Sequence, residues 1–214
     1  MKNKPPKALL LFSGGLDSLL AGEILRRNNV QITWLTFTTP FFSAEKSVSA
    51  ARLYNFPLII APLPEKAYID VLINPPHGFG KHMNPCIDCH ALMLKVAGQM
   101  MEERGYDFLA TGEVLGERPK SQTSAALRMV DAASGYADYI LRPLSAKLLP
   151  ATAPEREGLV NRENLLSISG RSRKEQMELA KKWQITTYPS PGGGCPLTEK
   201  FFSLKLRRLM EAFK

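Results

Sequence analysis

The sequence contains 214 residues, enough for one full hydrophobic core and a small appended part, with an ordinary globular composition. No apolar run reaches the roughly 18 residues of a membrane span, and no secretory segment of about 7–15 apolar residues follows the basic N-terminus. We therefore expect a cytoplasmic protein with no membrane association. The net charge is +8, and residues 151–214 carry 12 basic against 7 acidic side chains. This balance suits a polyanionic partner or simply a solvated surface.

The first 110 residues alternate apolar strands with helical patterns. The predicted strands are Ala8–Phe12, Val30–Phe37, Pro57–Leu63 and Phe108–Thr111. The predicted helices are Asp17–Arg27, Ala44–Asn55, Glu65–Ile73 and Asp88–Arg104. Continuous apolar strands separated by helices predict an α/β fold with a doubly wound parallel sheet.

The remaining segments are less regular. Residues 74–85 contain three prolines and two glycines and predict a loop, and residues 113–125 are polar. After Leu141 a linker leads into two amphipathic helices, Ser172–Trp183 and Glu199–Phe213. We expect four apolar side chains of the last helix to pack in the core: Phe201, Leu204, Met210 and Phe213.

These patterns divide the chain into two parts. Residues 1–145 form the predicted nucleotide-binding α/β domain. Residues 146–214 form a basic, mostly helical C-terminal part that carries the third cysteine.

The first predicted strand is followed by the loop SGGLDS, Ser13–Ser18. Gly14 and Gly15 lack Cβ atoms, so backbone N–H groups can turn towards an anion, and the next helix presents its positive end there. Asp17 would be misplaced beside a bare phosphate, but it suits a site in which Mg²⁺ bridges the two. The loop therefore predicts phosphate binding, with an ordinary glycine turn as the alternative.

The cysteines form a second pattern. Cys86 and Cys89 begin a predicted helix, and Cys195 lies 106 residues beyond Cys89 in a glycine-rich loop. Three thiolates can hold a [4Fe–4S] cluster and leave one iron open, or can bind zinc with His82 or His90 as a fourth ligand. A redox disulfide and unrelated buried cysteines are further alternatives. We expect the helix end to lower the pKa of the paired thiols.

Ser13–Ser18 resembles the PP-loop of the ATP-pyrophosphatase superfamily, whose members bind the pyrophosphate part of ATP and transfer AMP to a substrate oxygen. The resemblance spans most of residues 8–198, including Leu109–Glu117, which resembles a strand that ends in Thr-Gly near the nucleotide. It implies an adenine nucleotide alpha hydrolase-like fold with ATP and Mg²⁺. The implied nucleotide-binding residues are Ser13, Gly14, Gly15, Asp17, Ser18, Phe37, Thr111 and Gly112.

The cysteines resemble those of the tRNA thiouridine synthetases of the 2-thiouridylase and 4-thiouridine types. In the cluster-free branch an acidic residue stands three positions before a cysteine, and Cys86 occupies that position here. This departure favours the three-cysteine, iron–sulfur-dependent branch. The implied enzyme is an ATP-dependent, AMP-forming tRNA sulfurtransferase that adenylates a uracil carbonyl and then inserts sulfur. Its implied catalytic residues are Asp17, Cys86, Cys89 and Cys195, with the three cysteines as metal ligands.

The implied partners are tRNA and a sulfur donor, either sulfide or a persulfide carrier. The candidate RNA-binding residues are Lys81, Arg171, Arg173 and Lys174. Arg142 is interpreted as either a phosphate contact or a structural ion pair. The oligomeric state stays open, with a homodimer as one option.

The sequence is also compatible with two other functions. One is a PP-loop synthetase that adenylates a small-molecule carboxylate or a nucleobase and carries structural zinc. The other is a nucleotide-binding module without catalysis.

Overall fold

A computed structural model of the chain describes residues 4–188 and 195–212. One parallel sheet has the strand order β3-β2-β1-β4-β5. Its strands are β1 (Lys7–Leu11), β2 (Gln31–Thr38), β3 (Leu58–Pro62), β4 (Phe108–Thr111) and β5 (Ile140–Leu141). Helices cover both of its faces, which confirms the predicted doubly wound α/β fold.

The helices agree with the predicted ones in the first half of the chain. They are α1 (Leu16–Arg27), α2 (Glu45–Tyr54), α3 (Glu65–Ile73), α4 (Cys86–Arg104), α5 (Ser124–Ser134), α6 (Ala153–Arg156), α7 (Lys174–Lys182) and α8 (Lys200–Ala212). Helix α4 begins at Cys86, two residues earlier than predicted, so Cys86 and Cys89 both lie in its first turn. Helix α5 and strand β5 were not anticipated.

Alternate side chains of each strand enter two separate cores. On one face, Ala8 and Leu10 pack with α1 and α7. On the other face, Leu9 and Leu109 pack with α3, α4, α5 and α8. The phosphate loop helix and the cysteine helix therefore cover opposite faces of one sheet.

The C-terminal residues share both cores with the α/β part. Ala180 of α7 is fully buried among residues of α1, and Phe202 of α8 packs on the opposite face. The division at residue 145 stays a prediction. No helix in the described ranges is long and apolar enough to cross a membrane.

The expectation that the apolar side chains of the last helix pack in the core is wrong for two of them. Phe201 is 78% exposed and Leu204 is 44% exposed. The helix instead uses Phe202, Ser203 and Leu206 to contact the rest of the protein. Phe213 lies outside the described residues.

Candidate active site

The phosphate loop joins β1 to α1 at the carboxyl edge of the sheet. Gly14 has φ of +75°, and a Cβ atom there would lie 2.7 Å from the backbone carbon of Lys46 in α2. Only glycine fits this left-handed turn against another backbone. The Ser18 hydroxyl donates to the Gly15 carbonyl at 2.8 Å, and the Ser13 hydroxyl accepts from the Gly15 N–H at 3.3 Å. The loop is therefore ordered by its own serines.

Asp17 lies in the first turn of α1, where α7 meets the loop. Its Oδ2 accepts a long hydrogen bond from the Arg173 guanidinium at 3.4 Å, and Arg173 lies 3.8 Å from Glu117. Burial raises the pKa of Asp17, and Arg173 offsets this only in part. Burial and the neighbouring Asp17 also raise the pKa of Glu117. Asp17 Oδ1 is buried and has no hydrogen-bond partner among the described residues.

The end of β4 connects this loop to the cysteine helix. A Cβ atom on Gly112 would lie 2.5 Å from the Ser18 nitrogen, so the backbone at 112 rests directly on the first turn of α1. The next residue, Glu113, has its Oε1 2.9 Å from Nδ1 of His90, which follows Cys89 in α4. Two consecutive residues thus touch the phosphate loop and the cysteine helix.

Glu113 belongs to a buried polar network. Its Oε2 accepts from Nε of Arg142 at 2.9 Å and from the Thr111 hydroxyl at 3.2 Å. Arg142 also donates two hydrogen bonds to Asp131, at 2.6 and 3.1 Å. Burial disfavours the charge of Glu113, but Arg142 and His90 outweigh it and lower the pKa of Glu113 to about 2. Arg142 therefore forms structural ion pairs with Glu113 and Asp131.

The charge on Glu113 determines that Nδ1 of His90 is the ring nitrogen that donates to it. A carboxylate can only accept, so Nδ1 of His90 carries the proton and donates it to Glu113. The other ring nitrogen, Nε2, is then the atom that can contact a ligand. His90 is about one third exposed.

The three cysteines are free thiols. Cys89 and Cys195 pack against the same core, and Cys86 and Cys195 both lie near enough to Cys89 for their charges to act on it. Burial, reinforced by the charges of Cys195 and Cys86, raises the pKa of Cys89 to about 12. Burial also raises the pKa of Cys195. The expectation that the helix end lowers the pKa of the paired thiols is thus wrong for Cys89, because desolvation outweighs the helix dipole.

Two side chains brace the loop before α4. The Asn84 amide donates to Sγ of Cys86 at 3.2 Å, and its carbonyl accepts from the His82 N–H at 3.1 Å. Asp88 is buried and holds His77 through both the ring, at 2.6 Å, and the backbone, at 3.1 Å. These contacts fix the conformation of the loop before α4 and of its first turn, which carries Cys86 and Cys89.

The described residues form no single-ion metal site. Within residues 4–188 and 195–212, no three histidine, cysteine or acidic side chains are arranged to hold one metal ion. The Nδ1 atom of His90 is already engaged by Glu113. Thiolates are the ligands of iron–sulfur clusters, whose cysteines bind different iron atoms, so the donor chemistry of the three cysteines suits such a cluster.

The remaining sequence candidates are spread more widely. Phe37 is buried in the core, so only its backbone can face a nucleotide. Lys81, Arg171 and Lys174 are exposed, whereas Arg173 turns inwards to Asp17. Their assignment to RNA stays a prediction.

Sequence reasoning missed several polar residues that contact the site or support it: His77, Asp88, Glu113, Glu117, Asp131 and Gln176. The segment Thr111–Glu113 offered a signal for Glu113, since a carboxylate directly after a buried strand is costly unless it is paired.

The fold and the phosphate loop define the protein as a member of the PP-loop class of α/β proteins. A family model described as thiamine biosynthesis protein (ThiI) matches residues 5–147, and the chain belongs to this family. It is 32% identical over 147 residues to a probable tRNA sulfurtransferase of Lysinibacillus sphaericus, covering 64% of this chain and 34% of that protein. It is 31% identical over 157 residues to a tRNA sulfurtransferase of Desulfurococcus amylolyticus, covering 64% and 29%.

A solved structure shows the same fold. A 4-thiouridine synthetase in complex with RNA and bound ATP aligns with a TM-score of 0.52 and 22% identity, covering 86% of this chain and 54% of that one. The chain spans about a third of the length of the curated relatives above.

Proposed function

We propose that this chain carries out ATP-dependent thiolation of a uridine in tRNA. One observation carries the proposal: Gly112 rests on the phosphate loop while Glu113 holds the histidine beside Cys89. The predicted phosphate loop and the cysteine helix thus meet at one edge of the sheet, which supports a joint role. The names of the curated relatives support tRNA as the substrate, and the solved 4-thiouridine synthetase complex supports ATP as the activating nucleotide.

The phosphate loop would hold the pyrophosphate part of ATP. Backbone N–H groups of the loop and the positive end of α1 favour an anion at this point. The Gly15 N–H would exchange its 3.3 Å contact with the Ser13 hydroxyl for one with the phosphate. A uracil carbonyl oxygen attacks the α-phosphorus, a bond to AMP forms, and pyrophosphate leaves. The loop stabilises the charge that grows on the leaving group.

Asp17 and Glu117 would bind Mg²⁺. Both are carboxyls whose pKa is raised by burial, and Asp17 Oδ1 has no hydrogen-bond partner among the described residues. A divalent cation would satisfy that oxygen and offset the cost of two buried charges. When bound, Mg²⁺ would neutralise charge on the phosphates.

Cys86, Cys89 and Cys195 would hold a [4Fe–4S] cluster. When bound, such a cluster would supply an open iron able to carry sulfide. Hydrosulfide attacks the activated uracil carbon, its sulfur replaces the AMP-bearing oxygen, its proton passes to solvent, and AMP leaves with that oxygen. A persulfide carrier would supply the same sulfur after a two-electron reduction by an external thiol, which becomes a disulfide. His90 would orient this step through Nε2, because Glu113 fixes its ring and its tautomer. We expect the reaction in the cytoplasm, where tRNA is found.

The test starts from anaerobically purified protein. We expect iron and acid-labile sulfide, formation of AMP and pyrophosphate from ATP with an unmodified tRNA transcript, and a thiolated nucleoside detected by mass spectrometry. Cys195→Ala should lose iron and thiolation. Zinc without iron, or AMP formation with a small carboxylate instead of tRNA, would favour the synthetase. ATP binding without any AMP would favour the non-catalytic module.

A further inference from the structure

Helix α8 contacts the protein through one narrow face. The Ser203 hydroxyl donates to the Leu197 carbonyl at 2.9 Å and accepts from the Met83 N–H at 3.4 Å. The ring of Phe202 meets Phe41 edge-on, with centroids 5.8 Å apart. The orientation of the helix is therefore fixed, and so is the identity of the face that it turns outwards.

The opposite face combines an exposed aromatic ring with cations. Phe201, Leu204, Lys205 and Arg208 follow the spacing i, i+3, i+4 and i+7, which places them in one stripe. Phe201 is 78% exposed, and Lys205 and Arg208 are also exposed. We call these four residues the outer stripe. Together with Lys200 and Arg207, the helix carries four basic residues and one acidic residue, Glu211.

The outer stripe begins close to the cysteine site. Cys195 leads directly into a 3-10 turn, Pro196–Thr198, and the Thr198 hydroxyl donates to the Cys195 carbonyl at 2.7 Å. Leu197 is buried in the core that also contacts Cys89. Phe201 is only six residues beyond Cys195, at the start of α8.

We propose that the outer stripe is an RNA-contact surface, in which Phe201 stacks on an unpaired base of the tRNA and Lys205 and Arg208 contact the adjacent phosphates. This inference rests on the proposed function, which makes tRNA the substrate. Uridine chemistry needs a base that has left the helical stack, and an exposed aromatic ring on a basic surface binds such bases with little sequence preference. The positive charge along the whole helix favours a polyanion over an apolar protein partner.

The test measures the binding of an unmodified tRNA transcript by fluorescence anisotropy, without ATP and at several salt concentrations. Phe201→Ala should weaken binding about five- to 150-fold, the range for loss of one base-stacking contact. Phe201→Leu keeps an apolar side chain but has no ring face, so it should lose as much tRNA affinity as Phe201→Ala. Phe201→Tyr keeps the ring and should bind tRNA as tightly as the wild type. Lys205→Gln with Arg208→Gln should lower the slope of log affinity against log salt by about 1.4, as expected for two lost contacts to single-stranded phosphates.

The matched control is Lys181→Gln with Lys182→Gln, which removes the same charge from exposed positions of α7 on the other face of the sheet. It should leave affinity nearly unchanged. An equal loss in both double variants would overturn the inference. All of these positions are exposed, so melting temperatures should stay the same and unfolding cannot imitate the result.

The outcomes separate this inference from the proposed function. Wild-type protein that binds no tRNA refutes both. Wild-type protein that binds and thiolates tRNA, with Phe201 variants that bind equally well, refutes only the role of the outer stripe. Conversion of a dimer to a monomer by Phe201→Ala, with unchanged RNA affinity, would assign the stripe to a second copy of the chain and overturn the inference.

Discussion

His90 and Glu113 are joined by a 2.9 Å contact between Nδ1 and Oε1, and this contact ties the cysteine helix to the strand end that rests on the phosphate loop. Glu113 stays ionised in this pair because Arg142 donates to its second carboxylate oxygen. A buried carboxylate without such a partner would be too costly to keep ionised. Arg142 therefore supports the site without touching either the loop or the thiols.

Arg142→Leu should destabilise the protein by about 3–5 kcal/mol, the cost of leaving one partner of a buried ion pair. Arg156→Leu is the control: it removes an ion pair to Asp138 in which both side chains are about half exposed, and should destabilise the protein far less. Urea unfolding at pH 7 measures both. Equal losses of unfolding free energy would show that the buried Arg142 ion pairs stabilise the fold no more than an exposed ion pair does.

The same network predicts a dependence of stability on pH. The pKa of Glu113 is about 2 in the folded protein against an ordinary value of 4.5, so its stabilising contribution is fully present above pH 4.5. That contribution is lost as the pH falls from 4.5 towards 2. The difference in unfolding free energy between wild type and Arg142→Leu should therefore shrink across this range. A difference that stays constant down to pH 2 would contradict the assigned charge.

Gly14→Ala should abolish ATP binding, because its Cβ atom would meet the backbone of Lys46 at 2.7 Å and push α2 away from the loop. Gly158→Ala is a matched control, since Gly158 has nearly the same φ, +73°, but nothing within 4 Å of the new atom. The strain of alanine in a left-handed conformation should lower the free energy of unfolding of both variants by about 1 kcal/mol. Only Gly14→Ala should lose nucleotide affinity in calorimetry with ATP and Mg²⁺. Normal ATP affinity in Gly14→Ala would remove the loop from the nucleotide site.

The sequence predicts the elements whose pattern is local and misses those that depend on tertiary packing. Strands β1 and β4 are short apolar runs beside helices of clear period, so local pattern was enough. Helix α5 was missed because its alanine-rich sequence follows a polar loop and its apolar face is defined only by packing on α4. Strand β5 has two residues, too few for any periodic signal.

The site shows the same division. The phosphate loop and the cysteines are read from local motifs, but the partners that set their chemistry come from distant positions. Arg173 contacts Asp17 across 156 residues of sequence. The raised pKa of Cys89 likewise depends on burial and on Cys195, and neither can be read from the spacing of the paired cysteines.

Asp17→Asn should stabilise the fold while it abolishes ATP turnover. A carboxyl whose pKa is higher in the folded state than its ordinary value of 3.8 binds protons more readily when folded, so its ionisation weakens the fold as the pH rises past that value. Asparagine removes that cost at pH 7, and its advantage should vanish below pH 3.8. Thermal unfolding and AMP formation measure the two effects. Asp70→Asn, at an exposed position on α3, should change neither. Lower stability at pH 7 would show that the Arg173 pair outweighs burial.

Cys89 should be the slowest cysteine to react with iodoacetamide in metal-free, reduced protein. Only the thiolate reacts, and with its pKa raised to about 12 the thiolate is scarce at neutral pH. Its labelling rate should rise about tenfold per pH unit while the fold persists, as followed by peptide mass spectrometry. Labelling in urea should abolish the difference, because the cause is burial. Fast labelling of Cys89 at pH 7 in folded protein would mean that the helix end prevails over desolvation.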